Sequence, residues 1–90
     1  MLVPNAFSPN DDGHNDIFRI IRYLNVEELL DFKVFNRWGQ LIFETNDLRQ
    51  GWDGTFKDVP QELGVYAYVI RVLNRDGEKI TKGGNVTLVR

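Results

Sequence analysis

Short apolar segments separated by turn-forming residues are the feature that most constrains the fold of this chain. Turn signals recur every ~8–12 residues, and no segment has the periodicity of a long amphipathic helix. Apolar runs of this length, divided in this way, are typical of strands that pair with their neighbours. The sequence therefore predicts an all-β fold, a small immunoglobulin-like antiparallel β-sandwich of about seven strands.

The first half of the chain contains one clear hairpin. Phe32–Asn36 alternates between two faces, and Leu41–Glu44 follows as its expected partner. Gly39 lies in the turn between them, at a position suited to a positive φ. Upstream, Ile17–Leu24 is apolar and β-branched and predicts another strand. Between these segments, Asn25–Leu30 is expected to form a loop or one turn of helix.

The second half contains the longest predicted strand. Residues 45–63 are expected to be mostly loop. Val65–Leu73 then carries apolar residues on both of its faces, which predicts a central strand that is covered on each side. Asn74–Gly77 is a hairpin signal, because Asp-Gly accepts the positive φ angles of a tight turn. Asn85–Arg90 is expected to be the last strand.

Length and composition limit the classes of function. Ninety residues predict a single domain, 1–90, and the lack of cysteine excludes disulfides, thiolate zinc sites and a cysteine nucleophile. The net charge of −2 gives no overall attraction to nucleic acid, so we expect no nucleic-acid partner. Residues 71–90 differ from the rest because basic side chains predominate there: Arg71, Arg75, Lys79, Lys82 and Arg90 stand against Asp76 and Glu78. An ordinary solvated hairpin is the preferred interpretation, and a basic end that meets an acidic partner is the alternative.

The beginning of the sequence bears on export. No segment reaches the ~18–20 apolar residues of a membrane helix. The start has neither a charged n-region nor a long apolar core, so it does not predict a signal peptide. If the protein is exported, we expect its export signal on an upstream part, and this chain to be a domain excised from a larger protein.

Catalytic side chains are few. Ser8 and His14 are the only serine and histidine, and both lie in the N-terminal turn region. A hydrolase needs a nucleophile, a base and an orienting group held on rigid elements. Ser8 lacks the glycines of a nucleophile elbow, and no spacing selects a carboxylate pair for glycoside chemistry. The sequence therefore predicts that this protein is not an enzyme.

An Asn/Asp cluster near the N-terminus has the donor atoms of a calcium loop. Calcium prefers oxygen ligands on a turning loop, and the candidate ligands here are Asn10, Asp12, Asn15 and Asp16. The spacing does not fit an EF-hand. Asx-turns, in which these side chains bond to their own backbone, are the alternative interpretation and the preferred one. We expect no other cofactor.

The two tryptophans also allow two interpretations. Trp38 and Trp52 could form a sugar-binding platform near Tyr66 and Tyr68, or they could fill the core. We favour the core for both, because a small sandwich needs large side chains between its sheets and Trp38 continues the face of Phe32 and Val34. Trp52 is expected to plug a tight turn in which Asp53 caps the backbone.

The carboxyl end combines a flexible segment with a strand. Gly83 and Gly84 lower the cost of bending and could form a bulge. A terminal strand at a sheet edge can be recognised by another chain through strand addition. With the basic hairpin before it, this strand gives the predicted partner-recognition set: Arg71, Arg75, Lys79, Lys82, Asn85, Val86, Thr87, Leu88, Val89 and Arg90.

Five segments in a fixed order resemble a known family over essentially the whole chain. The resemblance is to the gliding motility-associated C-terminal domain, the type B sorting domain of the Bacteroidetes type IX secretion system. One departure is Asp11, where many members have Gly. The matching segments are Phe7-Ser8-Pro9-Asn10-x-Asp12-Gly13-x-Asn15-Asp16-x-Phe18, Val34-Phe35-Asn36-Arg37-Trp38-Gly39-x-Leu41-Ile42-Phe43, Trp52-Asp53-Gly54-Thr55, Gly64-Val65-Tyr66-x-Tyr68-Val69-Ile70 and Lys82-Gly83-x-Asn85-Val86-Thr87-Leu88-Val89-Arg90.

The resemblance implies a sorting function. Such domains lie at the carboxyl end of large exported proteins, are recognised in the periplasm, and direct their upstream cargo across the outer membrane to the cell surface or the medium. The implied partners are the type IX secretion machinery and, for type B domains, an outer-membrane protein of the PorP/SprF family. A calcium- or carbohydrate-binding adhesive module and a plain immunoglobulin-like spacer remain the alternatives.

Overall fold

The computed structural model describes residues 2–9, 16–21 and 25–89. The described residues contain no helix, and therefore no helix long and apolar enough to cross a membrane. The described residues form seven strands: β1 (Ala6–Phe7), β2 (Val26–Phe35), β3 (Leu41–Thr45), β4 (Thr55–Phe56), β5 (Val59–Pro60), β6 (Gly64–Asn74) and β7 (Lys79–Leu88). The prediction of an all-β fold with about seven strands is confirmed.

Five strands form one sheet, and two form a separate small hairpin. The large sheet has the order β1-β7-β6-β2-β3, and β4 pairs with β5. All pairs are antiparallel except β1 with β7, which is parallel. The arrangement is consistent with a small β-sandwich. The parallel pair departs from the predicted all-antiparallel pairing, because the first strand lies beside the last one.

The β2–β3 hairpin forms where the alternating pattern predicted it. Asn36 closes the turn, since its Oδ1 accepts hydrogen bonds from the N–H of Trp38 at 2.9 Å and of Gln40 at 3.0 Å. The N–H of Gly39 donates to the carbonyl of Asn36 at 3.0 Å, and Gly39 has φ +80°. The prediction of a positive φ at Gly39 is confirmed.

The β6–β7 hairpin is the longest ladder of the sheet. Its ten residue pairs run from Gly64↔Leu88 to Leu73↔Lys79 with no shift in register. The turn is closed by Asn74, whose Oδ1 accepts from the N–H of Asp76 at 3.0 Å and of Glu78 at 2.9 Å. The predicted turn is confirmed, with the positive φ at Gly77 alone. The last strand begins at Lys79, before the predicted Asn85, and the even register contains no bulge at the Gly-Gly pair.

The strand assignment between the N-terminal turn and the first hairpin was wrong. Within Ile17–Leu24, residues 17–21 form no strand, and 22–24 lie outside the described residues. Phe18 makes an isolated bridge with Trp52, and the N–H of Ile21 donates to the carbonyl of Leu2 at 2.8 Å. The segment Asn25–Leu30, expected as loop or helix, belongs mostly to β2. Register shifts between Val26 and Glu28 and between Leu29 and Asp31 interrupt the alternation of this strand, so its sequence lacks the period of two.

The large sheet is covered on one face. Tyr66, Tyr68, Ile70 and Val72 of β6 are buried, whereas Val65 on the other face is 56% exposed. The prediction that β6 is covered on both sides was therefore wrong. The covering layer comes from segments outside the large sheet, which supply the buried side chains of Phe18, Ile20 and Trp52. These segments have no counterpart on the outer face among the described residues.

Aromatic rings form the centre of the core. Trp52 lies with its ring centroid 5.3 Å from that of Phe7 and 4.9 Å from that of Tyr66. The ring centroid of Phe18 lies 5.3 Å from that of Tyr68 and 5.8 Å from that of Phe7. Tilted and edge-to-face pairs at these distances contribute beyond the apolar area that they bury. The cluster joins β1 and the covering segments to the inner face of the sheet.

Candidate recognition surface

β7 carries most of the predicted partner-recognition residues, and one of its sides is largely unpaired. β6 pairs with β7 along the whole strand, but β1 pairs only with Thr87 and Leu88 on the other side. There the N–H of Thr87 donates to the carbonyl of Asn5 at 2.9 Å. Over residues 79–86, no strand in the described part of the chain pairs with this side. We call this unpaired side of residues 79–86 the open edge.

The direction of the backbone groups at the open edge follows from the register. Thr87 directs its N–H toward β1, and in a strand the N–H and C=O groups of alternate residues point to the same side. The backbone groups directed to the open edge therefore belong to Lys79, Thr81, Gly83 and Asn85. These four residues are exposed. They present the hydrogen-bonding pattern that an added strand requires.

Gly84 keeps the inner side of this strand compact. A Cβ atom at position 84 would lie 2.8 Å from Oη of Tyr68, the residue directly opposite on β6. The Tyr68 ring therefore occupies the space that a side chain at position 84 would need. Burial also raises the pKa of Tyr68 above its ordinary value of 10.0. Gly84 thus has a packing role, separate from the flexibility that the sequence suggested.

Arg71 is engaged in an ion pair. Its Nε donates to Oδ2 of Asp31 at 2.8 Å, and its second guanidinium nitrogen bonds to the same oxygen. The hydrogen bond from Arg71 lowers the pKa of Asp31, and the charges of Arg71 and Lys33 act in the same direction, while burial opposes them. Asp31 stands 40 residues before Arg71, which the basic-cluster pattern did not reveal. Much of the positive charge of Arg71 is thus neutralised within the domain.

The remaining basic residues of the predicted set do not share one face. Lys79 pairs with Leu73, and Lys82 pairs with Ile70 on the inner side of the sheet. Because side chains alternate along a strand, Lys79 and Lys82 point to opposite faces. Arg75 lies in the turn, where its N–H donates to the carbonyl of Asn25 at 3.2 Å. The basic end is therefore distributed around the hairpin.

The terminal strand residues have two different environments. Val86 and Leu88 are fully buried in the core. Asn85 and Val89 are exposed and Thr87 is half-buried, whereas Arg90 lies outside the described residues. A partner that contacts this strand directly would meet the exposed members of the set.

The calcium-loop prediction falls mainly on residues outside the described part of the chain. Asn10, Asp12 and Asn15 lie outside it, as does His14, and only Asp16 is described. Within residues 2–9, 16–21 and 25–89, no group of three or more His, Asp or Glu side chains is placed to hold a metal ion. Calcium binding therefore stays a prediction, with Asx-turns as its alternative, and the melting temperature in calcium against EDTA separates the two.

The tryptophans lie in opposite environments. Trp52 is 1% exposed, which confirms its place in the core, and its Nε1 donates to the carbonyl of Thr55 at 2.8 Å. Asp53 caps this turn as predicted, with Oδ1 accepting from the N–H of Thr55 at 3.0 Å. Trp38 is 79% exposed, so the prediction of a core position for Trp38 was wrong. A sugar platform built from both rings is excluded, because the Trp52 ring is buried.

These features define a class of protein: a small all-β domain with an open strand edge and a buried aromatic core. The whole of residues 1–88 matches the family model CHU_C, described as the type IX secretion signal domain. The chain therefore belongs to the family of type IX secretion signal domains. Comparison with curated proteins gives no match.

The family gives the function of the domain. It is a sorting signal of the type IX secretion system, and it interacts with the machinery of that system. It directs export across the outer membrane to the cell surface. The resemblance to the gliding motility-associated sorting domain is confirmed.

Proposed function

We propose that this domain is recognised as a folded, non-catalytic surface, and that the open edge of β7 is where the secretion machinery binds. The observation that carries the proposal is the row of backbone groups at Lys79, Thr81, Gly83 and Asn85, which no described strand pairs with. A strand of a partner that adds to such an edge gains main-chain hydrogen bonds without needing a pocket. This matches a signal that many different cargo proteins carry.

The side chains around the open edge favour a specific partner over self-association. Exposed strand edges invite pairing with any other edge, and lysines along them oppose pairing with a second copy. Lys79 is exposed beside the edge and Lys82 is half-buried. Two such edges brought together would place these charges close to each other, whereas a partner strand with carboxylates would be attracted.

The proposal also covers the position of the domain and its partner. By the family resemblance, the domain stands at the carboxyl end of a longer exported protein, whose upstream part is the cargo. It passes through the periplasm in transit, and the receiving partner is an outer-membrane protein of the PorP/SprF family. The distributed basic residues Arg75, Lys79 and Lys82 supply the charge that an acidic partner surface would meet.

The test is export of a fluorescent reporter that carries an N-terminal export signal and these 90 residues at its carboxyl end, in a host with a type IX system. The informative variant is Thr81→Pro. Its ring removes an N–H that points to the open edge, and leaves the bonds to β6 in place. Thr81→Val is the matched control, because it keeps the N–H and the β-branched shape.

We expect export of the wild-type fusion and of Thr81→Val, and retention of Thr81→Pro in the periplasm. Circular dichroism and melting of the purified domains establish that both variants fold. Export of a folded Thr81→Pro at the wild-type level would show that the machinery does not use the open edge.

A further inference from the structure

Trp38 is displayed at the tip of the β2–β3 hairpin in a fixed geometry. Its backbone N–H donates to Oδ1 of Asn36 at 2.9 Å, and the guanidinium carbon of Arg37 lies 5.0 Å from the centroid of its indole ring. A cation at this distance is attracted to the ring face and restrains it. An aromatic ring that is already restrained loses little entropy when it binds, which is the character of an interface anchor.

The turn itself does not require a tryptophan. In the β6–β7 turn the Asn Oδ1 accepts the same two backbone hydrogen bonds, and Asp76 occupies the position that corresponds to Trp38. The β2–β3 turn adds one exposed bond, from Nδ2 of Asn36 to Oε1 of Gln40 at 3.0 Å, which does not involve Trp38. An exposed tryptophan at this position therefore adds nothing that the hairpin needs in order to form. Its large apolar surface is therefore available for a contact outside the described fold.

A groove lies directly beside Trp38. Its volume is about 340 Å³, and one wall is the turn from Asn36 to Trp38. The opposite wall is the segment from Val59 to Tyr66, which contains three aliphatic side chains that are each more than half exposed. These three are Val59, Leu63 and Val65. We call this feature the Trp38 groove.

The Trp38 groove also contains an unpaired piece of strand. β2 pairs with β6 only as far as Phe35↔Ala67, so Val65 has no strand partner on that side among the described residues. The backbone groups of Val65 point away from β7, because alternate residues of β6 bond to β7. The groove thus offers main-chain hydrogen bonds together with apolar side chains. This combination fits an extended peptide.

The size of the surface selects the kind of occupant. The Trp38 groove is lined by eleven residues, 36–38 and 59–66, whereas a stable interface takes about 20–30 residues a side. A stable dimer of folded domains needs roughly 800 Å² from each partner. The Trp38 groove is therefore too small to hold a second copy of this domain by itself, but it is adequate for a short extended segment.

The charges at the rim support a protein segment over an anionic ligand. Arg37 and Glu62 stand on opposite walls, and their charged groups are 3.5 Å apart. The rim is thus electrically balanced and offers no net attraction to a phosphate. An exposed ion pair of this kind is worth little, so it can open when a segment enters.

We propose that the Trp38 groove binds a short extended segment of a partner protein, with an apolar side chain against Trp38 and backbone hydrogen bonds to Val65. The inference rests on the proposed function, because the partner is taken to be part of the secretion machinery. It adds a second contact, distant along the chain from the open edge of β7.

The first test uses the reporter fusion with three substitutions. Trp38→Ala removes the anchor, and Leu63→Ser changes the opposite wall. Asp76→Ala is the matched control, since it makes the same truncation at the corresponding position of the other turn. We expect the exported fraction to fall at least about tenfold for Trp38→Ala, as for loss of an interface anchor, and to be unchanged for Asp76→Ala. We expect the exported fraction to fall for Leu63→Ser as well.

The outcomes separate the two proposals. If the wild type is exported and the folded variants Trp38→Ala and Leu63→Ser are exported to the same extent, the Trp38 groove does not bind a partner segment. The sorting function would be unaffected by that result. Retention of the wild-type fusion itself would overturn the function on which the groove depends. If Trp38→Ala failed to fold, Leu63→Ser would decide in its place.

The second test identifies the occupant. Benzoylphenylalanine in place of Val59, with the same probe at Ile21 as control, is activated by light in the secreting host. We expect crosslinks from position 59 to one short contiguous segment of an outer-membrane protein, and their loss in Trp38→Ala. Crosslinks scattered over a folded surface, or between two copies of the purified domain, would overturn the proposal.

Discussion

The two hairpin turns of this domain have the same local structure and different surroundings. Both read Asn-Arg-x-Gly, as Asn36–Gly39 and as Asn74–Gly77. In each, the Asn Oδ1 accepts from the N–H groups two and four residues later, and the Gly has φ near +80°. The difference is the third residue, which is Trp38 in one and Asp76 in the other. The turn needs Asn and Gly, and it leaves the third position free for function.

The largest effect on stability is expected at a glycine outside both turns. A Cβ atom at Gly51 would lie 2.6 Å from the carbonyl oxygen of Phe18 and 2.7 Å from Cβ of Arg19. Gly51→Ala should lower the free energy of unfolding by about 2–4 kcal/mol, because backbone must move to admit the methyl group. Urea denaturation measures this loss. Gly39→Ala is the comparison, since a Cβ atom there meets nothing within 4 Å and only the positive φ of +80° opposes the substitution. A larger loss at Gly39 would mean that turn geometry outweighs the close approach at Gly51.

Replacing the capping asparagines tests the equivalence of the turns directly. Asn36→Ala and Asn74→Ala each remove two accepted hydrogen bonds. Asn36→Ala also removes an exposed bond from Nδ2 to Gln40, which contributes little because water replaces it. We expect each to lower the free energy of unfolding by about 1–2 kcal/mol, and the two values to agree within about 0.5 kcal/mol. Unequal losses, measured by urea denaturation under one set of conditions, would break the comparison and show that tertiary contacts hold one turn more firmly.

Acid tests the ion pair that joins the two hairpins, between Asp31 on β2 and Arg71 on β6. The Arg71 hydrogen bond keeps the pKa of Asp31 below its ordinary value of 3.8, so the folded state binds this proton more weakly than the unfolded state. The stabilisation is therefore complete above the ordinary pKa and is lost as the pH falls through the folded value. The stability difference between wild type and Asp31→Asn should shrink from pH 5 toward roughly pH 3. A constant difference over this range would contradict the prediction.

The smallest effect on stability is expected at the position that distinguishes the turns. Trp38→Ala and Asp76→Ala should each change the free energy of unfolding by less than about 1 kcal/mol, because both side chains are exposed. Thermal melting of the two variants beside the wild type is the measurement. A large loss in Trp38→Ala would show that the ring stabilises the fold, and would remove the need for a partner at the Trp38 groove.

The hairpins could be predicted from the sequence, whereas the start of β2 could not. Turn chemistry is local, since Asn36 and Gly39 act within five residues of each other. β2 begins at Val26, and two register shifts against β6 lie between Val26 and Asp31. The alternation is therefore interrupted over the residues for which the sequence predicted a loop or one turn of helix. Bulges are set by the partner strand, which a pattern within one segment does not contain.

The recognition surface shows the same division. The last strand was predicted as a partner-recognition element, and its exposed backbone pattern became visible only with the register of β1 against Thr87 and Leu88. Arg71 was grouped with the other basic residues, because nothing near it in sequence indicates Asp31. The sequence favoured a core position for both tryptophans, but only Trp52 is buried. Burial depends on which segments cover the sheet, and the sequence pattern does not contain that information.

The sequence by itself determined the all-β fold, the two Asn-closed turns and the membership in the type IX secretion signal family, because these depend on local hydrogen bonding, on φ preferences and on motifs in order. The tertiary structure decided which tryptophan is buried and which is displayed. It also placed β1 beside the end of β7 and, within the described part of the chain, left the rest of that edge without a partner strand. These outcomes arise from contacts between residues distant in sequence, whose geometry depends on the packing of the whole domain.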